Sequence, residues 1–335
     1  MKPTLVTMDE VAGIDTLSWA FWRAARRRRD RPEVRAFESD LDRELARLGD
    51  ELRAGTVALG SFTRFVIRDP KRRVIHAPVF RDRVIHHALM RPIEPVFERA
   101  LVDGCYACRR GRGVLAAVRR TQANLRRFPW LVKVDVAAYF DSIDHATLLE
   151  QLRRRVRGRR VFELLVRVLS SYEVRCGRGL PIGALTSQHF ANLYLTPLDR
   201  HLLEEVKVGA LVRYMDDLIW WCRTREECRT SLASARAFAQ HRLRLSLKPS
   251  AQIRRSADGV ALCGFRIRRG TLLLSRRRCR RFTRARRRWE RAFLEGVIDA
   301  DGLQRAMASA IAVTLHADAT TFRRRVLSRT PGPDA

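Results

Sequence analysis

Two neighbouring carboxylates, Asp216 and Asp217, stand in the run Leu211-Val212-Arg213-Tyr214-Met215-Asp216-Asp217-Leu218-Ile219-Trp220-Trp221-Cys222. Their neighbours are good strand formers, so the run reads as a strand, a tight turn and a second strand, with both acids at the tip. An Asp-Asp pair at a turn is ordinarily a pair of solvated turn residues. Bulky apolar neighbours on both sides argue otherwise, because two carboxylates on a buried hairpin repel each other and lose hydration. A hard divalent cation held by oxygen ligands compensates both costs. A third acid is at hand: Leu131-Val132-Lys133-Val134-Asp135-Val136 is another apolar, β-branched run, and it carries Asp135. Adjacent strands lie about 4.8 Å apart. An acid on one strand therefore reaches the tip of its neighbour at the scale of two ions about 4 Å apart, the arrangement of two-metal phosphoryl-transfer sites.

These acids need elements that hold them in place. Upstream, residues 15–54 read as two helices. Leu17, Phe21, Ala24 and Ala25 form one face ahead of the basic run Arg26–Arg29, and Phe37, Leu41, Leu45, Leu48 and Leu52 form the next, closed by Gly55. Residues 62–67 and 72–78 look extended, with a turn at Arg68-Asp69-Pro70-Lys71. A basic hairpin is either an ordinary solvated surface or a clamp for phosphate oxygens, which the Arg fork matches. Helices are expected from Arg81 toward Phe97, from Val114 to Arg127, after an N-cap at Ser142, and over Val161 to Leu169. The adjacent His86 and His87 do not share a helix face for metal binding and read as packing residues. Gly177 to Gly183 is a tight connection into a helix near Thr186, where a ligand phosphate can approach closely. After the Asp pair come a helix over 226–245, strands over 247–253 and 260–267, a basic helix from Ser275 and a further helix from Gly302 to Leu327.

The 335 residues carry 67 Lys and Arg against 36 Asp and Glu, a formal net charge of +31. Such self-repulsion is relieved by a polyanion, so nucleic acid is the expected partner. Ten of the sixteen residues 276–291 are Arg, interleaved with Phe282 and Trp289; a helix basic on most faces is suited to tracking phosphates. No apolar run of membrane-spanning length and no signal peptide are read, and seven scattered cysteines fit a reducing cytoplasm. Cys105 and Cys108 lack a second pair of ligands at zinc spacing.

Tyr214-Met215-Asp216-Asp217 resembles the Tyr-X-Asp-Asp signature of reverse transcriptases, and Val134-Asp135 through Tyr139-Phe140-Asp141-Ser142-Ile143-Asp144-His145 resembles the block carrying their first catalytic Asp. The resemblance covers roughly residues 15–327. It implies an α+β right-hand polymerase with fingers, a palm built on an antiparallel sheet and a small helical thumb. On that plan residues 1–60 are an N-terminal helical region, 61–130 and 146–205 fingers and palm, 131–145 and 206–270 the catalytic palm, 275–327 the basic thumb, and 328–335 a disordered tail. It implies two Mg²⁺ held by Asp135, Asp216 and Asp217, with the Val136 carbonyl as an extra ligand. By the same resemblance Arg72 and Arg73 hold the triphosphate, and Phe140 (or Tyr139) sits under the sugar. Ile182 and Gln188 lie at the incoming dNTP, and Tyr214, Met215, Gly264 and Phe265 lie along primer and template.

Within that family, Ile182-Gly183-Ala184-Leu185-Thr186-Ser187-Gln188 is similar to the Ile-Gly-x-x-x-Ser-Gln block of diversity-generating retroelements, with Ala184 departing from the usual Asn. The stretches around Ile67–Leu89, Gly264–Ile267 and His316–Thr320 look alike too. This subgroup implies a bacterial or phage-encoded, cytoplasmic enzyme that copies a template-repeat RNA into error-prone cDNA for mutagenic retrohoming, with a basic accessory protein oligomer. The alternatives are a retron-like or defence-associated reverse transcriptase using its own noncoding RNA, and a non-catalytic RNA-binding protein on a polymerase fold.

Overall fold

Alternation along the strands decides which side chains reach the carboxylates. The computed structural model describes residues 3–68 and 72–328. Asp69-Pro70-Lys71 of the expected turn and residues 329–335 of the expected tail lie outside them.

The N-terminal part begins with β1 (Thr4–Leu5) and α1 (Met8–Ala12), and the stretch expected to form two helices forms three, α2 (Ile14–Ala25), α3 (Pro32–Glu38) and α4 (Leu41–Ala54). Thr7 and Glu10 form a capping box on α1, and α3 stops at Ser39 before Asp40 opens α4. The antiparallel hairpin of β2 (Phe62–Ile67) and β3 (Arg73–Pro78) follows, registered from Phe62↔Pro78 to Ile67↔Arg73. It leads into α5 (Phe80–Ala100) and α6 (Val114–Arg127).

Next come β4 (Trp130–Asp135), the short α7 (Tyr139–Ser142), α8 (His145–Arg153), β5 (Val156–Arg157), α9 (Arg159–Ser170), α10 (Leu185–Tyr194) and α11 (Thr196–Arg200). Ser142 is not the expected N-cap. It ends α7, and Asp144 caps α8 by accepting from the Thr147 N–H. The cap is displaced by two residues because Ile143 intervenes in an extended conformation.

β6 (Ala210–Tyr214), β7 (Asp217–Cys222), α12 (Arg225–Leu243) and β8 (Gln252–Arg255) complete the central antiparallel sheet, in the order β6-β7-β4-β8. Leu218, Trp220 and Cys222 face a core shared with α10 and α12, whereas Ile219 and Trp221 face a second core. Cross-strand partners share a face, so Leu131, Lys133 and Asp135 stand on the same side as Trp221, Ile219 and Asp217.

That second side is covered by α6 and a small sheet of β9 (Val260–Leu262), β10 (Phe265–Ile267) and β11 (Leu272–Leu274). The single strand expected over 260–267 is a hairpin, turned at Cys263 and Gly264 with φ of 49° and 79°. The expected strand over 247–253 is regular only from Gln252; Leu247 makes an isolated bridge to Val136.

Three helices close the described residues: α13 (Arg276–Leu294), α14 (Ala300–Ala312) and α15 (Thr320–Leu327). The helix expected from Gly302 to Leu327 is broken because Asp318 docks on β11. Its N–H donates to the Leu272 carbonyl and its carboxylate accepts from the Leu272 N–H, each at 2.7 Å. Among the described residues no helix is long and apolar enough to cross a membrane.

His86 and His87 pack within α5, and His86 Nδ1 lies 2.7 Å from the Thr186 hydroxyl on α10. Burial, then the neighbouring His87 and Arg83, lowers His86 to about 3. Burial, then Arg83, lowers His87 to about 4. Both therefore stay neutral in the fold below the pH at which unfolded histidine takes a proton. Their contribution is whole above pH 6.5 and is lost as pH falls below it, by about 2 kcal/mol each at pH 5. Urea midpoints at pH 7.5 and 5.0 should show this loss, reduced by about half in His87→Gln; equal losses in the two proteins would refute the assignment.

Candidate active site

The tip of the central hairpin is a two-residue corner. Tyr214 pairs with Asp217, and Met215 and Asp216 make the turn, with Met215 left-handed at φ 56°. A side chain larger than Gly is strained there, and Arg213 braces it. The Arg213 guanidinium is fully buried, forks onto the Asp199 carboxylate at 2.7–2.9 Å, and donates to Asn192 Oδ1 at 2.9 Å, to the Asn192 carbonyl at 3.0 Å and to the Met215 carbonyl at 3.3 Å. Asp199 holds that guanidinium charged, above its ordinary value.

Asp135, last in β4, is the register partner of Asp217. Facing residues of an antiparallel pair have Cα atoms about 4.5–5.5 Å apart, so the three acids meet at one end of the sheet. Two lysines share the place. Lys248 Nζ is 2.6 Å from Asp135 Oδ2, and Lys133 Nζ is 3.4 Å from Asp217 Oδ1. Neither lysine was singled out from the sequence. Lys133 has a readable signal, lying two residues before Asp135 and so on the same face; Lys248 is 113 residues away in the chain and has none.

Among the described residues Asp216 has no such partner. Burial, reinforced by the charges of Asp135 and Asp217 and opposed by a backbone hydrogen bond, pushes its carboxyl up to about 6. Asp135 Oδ1 is buried with no hydrogen-bond partner among the described residues. Among the described residues no three His, Cys, Asp or Glu side chains already close into a metal cage. The donor set nevertheless fits a hard cation: a desolvated carboxylate oxygen without a donor, beside a second carboxylate that lacks a counter-charge. Val136 is buried at the bridge to Leu247, whose flanking bonds run from the Ala137 N–H to Ser246 and from the Lys248 N–H to Asp135.

The other expected residues lie around these acids and away from them. Phe140 and Ile182 are half-buried on one wall, laced together by the 179–183 segment. The Leu180 N–H donates to the Phe140 carbonyl at 2.8 Å, and the His76 N–H donates to the Ile182 carbonyl at 2.9 Å. Tyr139, the alternative to Phe140, is buried, and its hydroxyl donates to the Ala191 carbonyl. Gln188 is exposed on α10 and accepts from the Cys108 thiol at 3.3 Å. Arg72 and Arg73 are exposed at the start of β3, and among the described residues neither bonds to the three acids.

Tyr214 and Met215 are partly exposed beside the acids. Gly264 forms the tip of the β9–β10 turn, where a Cβ would strike the Arg278 guanidinium. Phe265, at 1% exposure, lies beneath the Arg278 guanidinium, 4.1 Å away, and supports the turn from inside. The turn lies close to the acids. Burial and then the Asp217 charge push the Cys263 thiol up to about 12.

Residues 68–259 match the family model described as reverse transcriptase (RNA-dependent DNA polymerase). Protein YkfC of Escherichia coli is 28% identical over 179 residues, covering 50% of this chain and 47% of that protein. The group II intron-encoded protein LtrA of Lactococcus lactis is 26% identical over 140 residues, covering 40% of this chain and 23% of LtrA. The matches thus span less than half the length of these relatives. In fold, the chain is similar to apo telomerase from Candida tropicalis, with a TM-score of 0.51 at 11% identity over 85% of this chain and 63% of that one.

Proposed function

The chain belongs to the reverse transcriptase family and has its right-hand polymerase fold, and from that premise we propose that it is an RNA-directed DNA polymerase in which Asp135, Asp216 and Asp217 hold two Mg²⁺. The observation that carries this reading is the register of β4 against β7, which sets Asp135 opposite Asp217 with Asp216 in the adjoining turn. Bound there, the ions supply activation of the primer 3′-hydroxyl and neutralisation of the triphosphate and leaving pyrophosphate.

The chain's own residues do the rest. Phe140 underlies the sugar and rejects a 2′-hydroxyl by bulk. Arg72 and Arg73 engage the triphosphate. Tyr214, Met215 and the Gly264 turn seat the primer end, Gln188 lies toward the nucleotide, and the Val136 carbonyl is a further oxygen ligand. Ile182 gives shape without a hydrogen bond. Ile182→Gln is therefore expected to lower misincorporation opposite template adenines in sequenced cDNA, and an unchanged error spectrum would count against that role.

Two cationic grooves support a polyanionic template and product. One, of about 770 Å³, lies between Arg68 at the end of β2 and the α13 face of Arg276, Arg280, Arg284 and Arg288. The other, of about 870 Å³, lies between the Arg27, Arg28 and Arg31 turn and the Phe65 face of the β2–β3 hairpin. Arginines beside an exposed aromatic suit a single strand.

Primer extension on an RNA template with Mg²⁺ and dNTPs tests the assignment. Asp135→Asn should slow synthesis at least about 10³-fold, the several kcal/mol that metal-held charge stabilisation supplies. Comparable synthesis by the two proteins would remove the assignment.

The finer reading is a diversity-generating retroelement enzyme that makes error-prone cDNA from a template-repeat RNA with a basic accessory oligomer. Its support is the Ile182-Gly183 block ending in Ser187-Gln188. A second reading, an enzyme dedicated to its own structured noncoding RNA, draws on the group II intron-encoded relative. Near-identical template and variable repeats beside the gene would favour the first, and their absence the second.

A further inference from the structure

Lys248 is tied to Asp135 twice. Its main-chain N–H donates to the Asp135 carbonyl at 2.9 Å, and its ammonium donates to Asp135 Oδ2 at 2.6 Å. The first bond flanks the Val136–Leu247 bridge, so the backbone itself delivers the ammonium to the acid. The segment that carries Lys248 is held from behind. The Leu245 N–H donates to the Ala239 carbonyl at 2.9 Å, and Arg244, left-handed at φ 51°, donates to Asp144 Oδ2 at 3.0 Å.

The two oxygens of Asp135 are therefore unlike. Oδ2 is capped by a fixed cation, whereas Oδ1 is buried and, among the described residues, without a partner. Lys133 treats Asp217 in a similar way: its ammonium is 3.4 Å from Asp217 Oδ1 and is itself tethered to the Ala261 carbonyl on β9 at 2.7 Å. A carboxylate held by one oxygen is restrained from swinging and leaves its other oxygen as the freer acceptor. Groups that orient a metal-binding carboxylate in this manner typically change affinity 10–100-fold when removed.

We propose that Lys248 is a positioning residue for the cation site, holding Asp135 by Oδ2 so that Oδ1 is presented as a single-oxygen ligand toward Asp216. This rests on the reading of the three acids as a cation site. The same contact admits the opposite role, a resident counter-ion that an entering metal must expel, and the two roles differ in sign.

Mn²⁺ titrated into the full chain without nucleic acid, with free Mn²⁺ read by electron paramagnetic resonance, separates them. Lys248→Met should weaken binding about tenfold, while the melting temperature shows the chain still folded. Lys248→Arg should recover most of the affinity, as a purely structural role would not require. Tighter or unchanged binding in Lys248→Met, or no recovery in Lys248→Arg, overturns the proposal. Failure of the wild-type chain to bind Mn²⁺ at all overturns the cation-site reading beneath it, which is a different result.

Discussion

Asp216→Asn is expected to abolish DNA synthesis and yet to raise the melting temperature of the metal-free protein. Both effects come from one carboxylate. Its pKa of about 6, raised from 3.8, means that the folded state disfavours the charged form. For an acid shifted upward, stability is lost as pH rises from the unfolded value through the folded one. Above pH 6 the cost is complete, and its upper size is about 3 kcal/mol. Asn keeps the shape of the side chain and carries no charge, so at pH 7.5 the variant regains part of that cost, a shift of a few degrees in a chain of this size.

Millimolar Mg²⁺ should reverse the order. Wild type gains stability by linkage to a ligand that only the fold binds, while the variant gains little. Melting curves with and without Mg²⁺, run beside primer extension, check both halves. A metal-free variant less stable than wild type, or one that still extends a primer within tenfold of the wild-type rate, would show that Asp216 is not the charge the site must neutralise.

What could be read from the chain and what could not divides along physical lines. The apolar, strand-forming runs of Leu131 to Asp135 and of Leu218 to Cys222 mark both strands, and the alternation of side chains along any strand then sets which residues share the face of the acids, so this much of the candidate site was legible. Turn geometry was legible where polar residues mark it and hidden where they do not. Val260 to Ile267 reads as one apolar strand because its corner is only Cys263-Gly264. The break between α14 and α15 was hidden because it is made by a tertiary contact, Asp318 on Leu272, and not by a local breaker.

Phe140 and Ile182 entered by family resemblance alone. Nothing in their spacing shows that the 179–183 segment laces them to one wall. Lys248 was invisible for the same reason: its partner is brought to it by the sheet and by the turn after α12.

Arg213 is the plainest such case, and its removal should have the other large effect. In the sequence it is a charged residue inside an apolar strand. In the fold its charge is balanced by Asp199, and both side chains are wholly buried. Arg213→Met strands the Asp199 carboxylate in the core and leaves Asn192 Oδ1 with the Cys105 thiol as its remaining donor. Removing one partner of a buried pair costs about 3–5 kcal/mol, enough to leave much of a marginally stable chain unfolded.

Replacing both members, as Arg213→Met with Asp199→Leu, avoids the stranded charge and should restore the urea midpoint to near the wild-type value, since apolar replacements of buried pairs are often neutral. It does not restore the donor to the Met215 carbonyl, so the left-handed corner that aims Asp216 loses its brace. A misplacement of about 1 Å costs on the order of 10²-fold in rate. The double variant is therefore expected to fold and to bind RNA with wild-type affinity while extending a primer about 10²-fold more slowly in single-turnover assays. If it is folded and extends at the wild-type rate, the buried pair serves the core alone and the corner holds its shape without it.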